Sequence, residues 1–273
     1  MTGERPLQGQ VALVAGASSG IGAAIAVALA ANGAAVSLVA RRTSELSQVR
    51  DAAAAHDVTA ISLVADLAHP AEPARVMAAT VESLGPVDIL VNSAAAVQIN
   101  RIDQIEPRHW ELQMRLNVTA PYLLSRLALP GMRERGHGWI VNISSAVALE
   151  TIPGTGPYAV SKQALNTLTE LIDAENRERG IRAVACCLGW VATRLSPALE
   201  GYGVCEQDLL RPGDVADAVL WIMTRPHRVG IGPIIHLAPT SPNAATRGSV
   251  ERFIRGGAGA GGAASPDRKE VNR

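Results

Sequence analysis

The strongest constraint on the fold is a repeating unit in which short, uninterrupted apolar runs alternate with segments of helical period. Residues 11–15, 35–39, 59–64, 88–91, 139–143 and 182–187 read as strands. Because these runs are apolar at consecutive positions, both faces of each strand must be covered by helices. Helices are expected from the glycine turn to about Asn32-Gly33, from about Ser44 to His56, and from Pro73 to Leu84. One long helical segment should run from about Glu106 into the 130s, and another should carry Tyr158. Pro212 opens a helix through Met223, and residues 234–237 form a last strand. Strict alternation of strand and helix calls for an α/β fold, a doubly wound parallel sheet of the Rossmann type, in a single domain.

A chain of 273 residues lies near the upper limit for one core. We expect residues 1–255 to form that domain, with a substrate lid or a packed surface loop near 189–211, where Pro197, Gly201 and Gly203 mix with Trp190, Leu195, Leu199 and Tyr202. Residues 256–273 read as a flexible Gly/Ala-rich tail. Basic and acidic residues number 25 each, so no overall field favours nucleic acid or an anionic membrane. No apolar run reaches the roughly 18 to 20 residues that span a bilayer, and a cytoplasmic protein is expected. Cys186, Cys187 and Cys205 show no C-x-x-C spacing and read as buried thiols, and the six histidines lack metal-ligand spacing, so no metal is expected.

In an open parallel sheet, ligands bind outside the carboxyl ends of the strands. The suggestive residues fall there. Gly16, Gly20 and Gly22 follow the first strand and can bring bare backbone N–H groups to a pyrophosphate at a helix N-terminus. A glycine turn also serves as a plain connector, but its place in the first βαβ unit points to a dinucleotide. Arg41 and Arg42 follow the second strand, where a carboxylate would select the ribose diol of NAD, so they favour NADP. Two solvated arginines opening a loop are the alternative. Asp66, Asn92, Ser145 and Gly189 follow the next four strands.

Tyr158 and Lys162 stand four apart on a helix, so phenol and ammonium share one face. A fixed cation beside a phenol favours the phenolate and lowers its pKa, which makes Tyr158 a candidate general acid/base. A tyrosine and a lysine that merely share a solvated face have the same spacing.

Together these residues resemble the classical short-chain dehydrogenase/reductase family, over about Leu7 to Thr240. The family's T-G-x-x-x-G-x-G matches Ala15 through Gly22, its N-N-A-G matches Asn92 through Ala95, and its Y-x-x-x-K matches Tyr158 and Lys162. Its helix asparagine matches Asn117, its serine Ser145, and its P-G after strand six matches Leu188-Gly189. Ala15, Ala95 and Leu188 depart from the family's Thr, Gly and Pro. The run from Pro226 to Thr240 is similar to the end of 3-hydroxy acid and clavulanate-type dehydrogenases.

The resemblance implies an NADP(H)-dependent oxidoreductase that interconverts a small-molecule carbonyl and an alcohol. Ser145 would bond the carbonyl oxygen, Tyr158 would donate the proton, Lys162 would hold the ribose and depress the tyrosine pKa, and Asn117 would anchor a water. Ser18, Ser19 and Ile21 in the turn would contact the phosphates, Asp66 and Leu67 would bracket the adenine, and Asn92, Gly189, Val191 and Thr193 would complete the cofactor site. It also implies a homodimer or homotetramer formed through the long helices, with Ala159, Ser161 and Ala164 allowing close packing. A dinucleotide-binding scaffold or redox sensor without turnover is the competing function, motivated by the three departures.

Overall fold

A strand that is apolar at every position can be stable only between two layers, and the chain supplies both. The computed structural model describes residues 5–193, 206–226 and 228–240. Seven strands form one parallel sheet: β1 (Val11–Ala15), β2 (Ala35–Ala40), β3 (Ala60–Val64), β4 (Ile89–Asn92), β5 (Gly138–Ser145), β6 (Ile181–Leu188) and β7 (Ile234–Leu237). Their order is β3-β2-β1-β4-β5-β6-β7, so the chain reverses its direction of travel between β1 and β4 and opens a crevice there. Around the sheet lie α1 (Gly20–Ala31), α2 (Thr43–Ala54), α3 (Glu72–Leu84), α4 (Pro107–Met114), α5 (Ala120–Arg135), α6 (Gly156–Asn176) and α7 (Pro212–Met223).

Alternate residues of one strand face opposite layers. Ala12 and Val14 share a core with Ile25 and Leu29 of α1 and with Val215 and Val219 of α7. Leu13 and Ala15 instead meet Val76 of α3 and Leu124 and Met132 of α5. Each leucine fully withdrawn from water contributes about 1.5–3 kcal/mol, so neither layer could be removed without unfolding the sheet.

Three elements differ most from the sequence expectation, each for a local reason. β5 and β6 are longer than their apolar runs because they pair along their whole length, from Gly138 with Ile181 to Ser145 with Leu188. That extension carries Ser144 and Ser145 to the tip of the sheet. The expected long helix from Glu106 is broken by a π turn over Arg115–Thr119, in which the Ala120 N–H returns to the Arg115 carbonyl. Pro121 explains the break: it has no N–H for the carbonyl of Asn117, and its ring would strike that carbonyl in a regular helix.

Of the expected lid, residues 194–205 lie outside the described residues, as do Cys205 and the tail. The two flanks of that segment are joined. Val191 pairs with Leu210, the Ala192 N–H donates to Leu210 O at 2.7 Å, and the Leu210 N–H donates to Trp190 O at 3.1 Å. Among the described residues no helix is long and apolar enough to cross a membrane.

The edge of the sheet opposite the crevice is fastened by Asp88. Its Oδ2 accepts from the Val11 N–H at 2.9 Å, and its Oδ1 lies 3.0 Å from both Arg135 Nη2 and His137 Nε2. Asp88→Ala leaves a buried N–H without its acceptor and removes the counter-charge of a part-buried guanidinium, which keeps only its bond to Val87 O. Denaturant unfolding should show a loss of about 2–3 kcal/mol, with ligand binding at the far edge unchanged.

Candidate active site

The site is assembled from the segments that leave the carboxyl ends of the strands. After β1 the chain turns at Gly16, whose φ of +83° places it in the left-handed region. A Cβ there would stand 2.5 Å from the Ala94 N, so only glycine lets this turn rest against the segment leaving β4. Gly22 makes an equally close approach to the Gly16 carbonyl. Gly20 sits beside Thr193, and Ile21 reaches the pocket wall. The result is a bare backbone cradle at the start of α1, a helix with no acidic residue in its first turn.

Ser18 and Ser19 do not cap that helix with their side chains. They are occupied by a residue leaving β2. Arg42 Nη2 donates to Ser18 Oγ at 2.9 Å and to Ser19 Oγ at 2.6 Å, while its Nη1 lies 3.3 Å from Glu45. Arg41, expected to act with it, is exposed, so the structure separates the two arginines. After β3, Asp66 is exposed with Oδ1 accepting from the Ala68 N–H at 3.1 Å, and Leu67 is buried.

The Asn92 side chain is not brought to the crevice. It lies in the sheet, where Nδ2 donates to Asn142 Oδ1 at 2.8 Å and Asn142 passes the bond to Thr169. Asn117 is wholly buried and acts as a tie. Its Oδ1 accepts from the Ala96 N–H at 2.8 Å, and its Nδ2 donates to Ala96 O at 2.9 Å and to Ser161 Oγ at 3.0 Å. Ser161 in turn donates to the Tyr158 carbonyl. Loop, π turn and α6 are thereby locked together. This corrects the expectation that Ala159 and Ser161 offer a surface for helix packing between chains: both are buried within their own chain.

Ser145, at the tip of β5, lies close enough to the Tyr158 phenol to influence its acidity and accepts from the Val147 N–H at 3.4 Å. Lys162 is 2% exposed; its ammonium sits 5.8 Å from the Tyr158 ring centre and donates to the Ile143 carbonyl at 2.7 Å. Ser145, Tyr158 and Lys162 meet Ile21, Gly189, Val191 and Thr193 around one cavity of about 190 Å³.

The electrostatics of this group depart from the sequence expectation. Burial drives the Tyr158 pKa above its ordinary value of 10.0, opposed by the hydrogen bond from Ser145, so the phenol is not depressed by its neighbour. Burial also lowers Lys162 to about 8, with the Cys187 thiol acting in the opposite sense. Both shifts have one cause: in surroundings poor in water, neither phenolate nor ammonium is well solvated. At neutral pH the pair stands as a protonated donor and a cation.

A family model described as short chain dehydrogenase matches residues 10–201. The chain belongs to the short-chain dehydrogenase family, and it is an oxidoreductase of that family. This dehydrogenase is 34% identical over 239 residues to glycine betaine reductase ATRR of Emericella nidulans, covering 84% of this chain but spanning only 19% of that relative. It is 31% identical to an oxidoreductase of Staphylococcus saprophyticus, over 84% of this chain and 97% of the other. A metagenomic short-chain oxidoreductase solved in complex with NADP superposes with a TM-score of 0.75 at 32% identity, over 86% of this chain and all of that one. L-Sorbose reductase from Gluconobacter frateurii, complexed with NADPH and L-sorbose, gives 0.80 at 26%, over 87% and 98%.

Several residues of the dehydrogenase's site were not singled out from sequence. Val97 and Ile99 line the cavity after β4, together with Val147 and Trp190; Leu149 is exposed, and Tyr202 lies outside the described residues. The signal for Val97 and Ile99 was their position just past the Asn92–Ala95 match.

Proposed function

We propose that this short-chain dehydrogenase reduces a small-molecule carbonyl to an alcohol, or runs the reverse reaction, with NADP(H). The observation that carries the reading is the convergence of Ser145, Tyr158 and Lys162 on one cavity at the end of the sheet where the glycine turn lies. The chain's own residues fit the cofactor. Gly16 and Gly22 leave the backbone bare for a pyrophosphate, and Ala40 stands where a ribose-selecting carboxylate would be. Arg42 with Ser18 and Ser19 offers a cation and two hydroxyls to a 2'-phosphate. Asp66 and Leu67 would flank the adenine, and Gly189, Val191 and Thr193 the carboxamide. Two structural neighbours hold NADP or NADPH, which favours the same choice.

When bound, the nicotinamide gives or takes the hydride. The protein handles the proton. Tyr158 is kept protonated by its buried setting and donates to the carbonyl oxygen as charge gathers there, while the Ser145 hydroxyl bonds the same oxygen. Lys162 stabilises the phenolate left behind, and in the oxidative direction Tyr158 takes the proton back. Asn117 acts through the loop at Ala96 and through Ser161, and its carbonyl, left by Pro121 without a helical donor, is where a water would be anchored. The departures at Ala15, Ala95 and Leu188 that motivate a silent scaffold leave all three proton-handling side chains in place. Purified protein mixed with NADPH and a broad carbonyl panel tests the reading by absorbance; no carbonyl-dependent loss of NADPH would overturn it.

A pH dependence arises from Lys162. Its folded pKa of about 8 lies below the ordinary 10.5, so between those values the unfolded chain holds more protons and stability rises with pH. Activity moves oppositely: kcat/KM for reduction should be level below about pH 8 and fall above it as the ammonium is lost. A profile flat to pH 10 in stable protein would contradict this.

We further propose a homodimer or homotetramer formed through α5 and α6, whose outward Tyr122, Leu127, Val160 and Leu171 are exposed apolar side chains. Light scattering should give at least twice the mass of one chain.

A further inference from the structure

We infer that the substrate of this site is an uncharged carbonyl compound whose arm beside the carbonyl is apolar. The inference rests on the carbonyl-reductase reading and names the substrate class for it. The cavity has two unlike sides. Its polar side chains cluster where the glycine turn and the proton-handling groups stand: Ser93 lies against the Gly22 position, Thr193 beside Gly20, Ser144 donates to the Lys162 carbonyl, and Ser145 shares the lining with Tyr158. The remaining wall comes from three separate strand ends. Val97 and Ile99 follow β4, Val147 follows β5, and Leu188 and Trp190 close it from β6.

Among the described lining residues only Tyr158 and Lys162 are ionisable. Lys162 belongs to the polar side, among the proton-handling groups, where its ammonium is buried and donates to the Ile143 carbonyl, and it is no part of the apolar wall. A carboxylate or phosphate against Val97, Ile99, Val147 and Trp190 would lose its water and gain no counter-charge from the described lining residues, an unfavourable exchange. A polyhydroxylated ketone faces the same difficulty at each hydroxyl that meets this side. A phenyl or branched alkyl arm gains from the same contact by leaving water. The wall therefore disfavours the hydroxy acids suggested by the run from Pro226 to Thr240.

The experiment compares three ketones with NADPH: acetophenone, para-acetylbenzoate, which adds only a carboxylate, and L-sorbose. The kcat/KM for acetophenone should exceed the other two by at least about 100-fold. Ile99→Arg places a cation on the wall and should narrow the gap between acetophenone and para-acetylbenzoate by about 10-fold or more. Calorimetry of the corresponding neutral and carboxylated alcohols on Tyr158→Phe protein with NADP+ reads the preference without turnover. Carboxylated and neutral compounds used or bound within about threefold of each other would overturn the inference while leaving the reductase reading intact. Loss of turnover on every ketone would overturn the reductase reading, and the calorimetric preference would then decide the substrate class alone.

Discussion

Replacing Tyr158 with phenylalanine should lower kcat/KM for carbonyl reduction by about 1,000-fold, within the range for loss of a positioned general acid. The reasoning is steric as well as chemical. Phenylalanine keeps the ring that packs with Val147, Ile152, Ala159 and Trp190, so α6 and the pocket wall stay in place. The change removes one hydroxyl and the proton it carries. NADPH affinity, followed by quenching of protein fluorescence, should change less than about threefold, because the glycine turn and Arg42 belong to other strand ends. A variant that retained a tenth of the activity would remove Tyr158 from the proton step. A silent scaffold predicts instead that parent and variant are equally inert.

The second large effect is expected at Arg42. Arg42→Ala removes the guanidinium that joins Ser18 to Ser19 and leaves two hydroxyls with no positive charge behind them. Charge-assisted hydrogen bonds to a phosphate are worth about 1.5–3 kcal/mol, so NADPH should bind about 10- to 100-fold more weakly. NADH, which lacks that phosphate, should bind nearly as before, and the ratio of the two dissociation constants is the measurement. Arg41→Ala, on the exposed neighbour, should change the ratio little. Equal losses in both variants, or a loss in neither, would show that the serine pair does not receive the 2'-phosphate.

The distinction between those arginines illustrates what the sequence could and could not convey. The strand runs were legible because a strand covered on both sides is apolar at every position, and β1, β7 and α7 begin and end at the expected residues. The gathering of the glycine turn, Ser145, Tyr158 and Lys162 at one edge was legible too, since a parallel sheet sends every strand end the same way. Side-chain direction at a strand exit was not. Whether Arg41 or Arg42 turns back to the serines depends on the backbone at the start of α2, and Asn92 turns inward because Asn142 lies beside it on β5. The π turn had a visible cause in Pro121, four residues after Asn117, yet a helical period running through it conceals the extra residue. The acidity of Tyr158 could be read from neither spacing nor neighbours alone: the ammonium is near, but the exclusion of water from both groups outweighs it.

The pairing of Val191 with Leu210 has a consequence for how such a protein can diversify. With that rung in place, the shelf at Gly189–Val191 and the start of α7 are joined independently of the length of chain between them. Insertions, deletions or replacement within 194–205 should therefore leave this junction, and the placement of Gly189 and Val191 at the end of the sheet, intact.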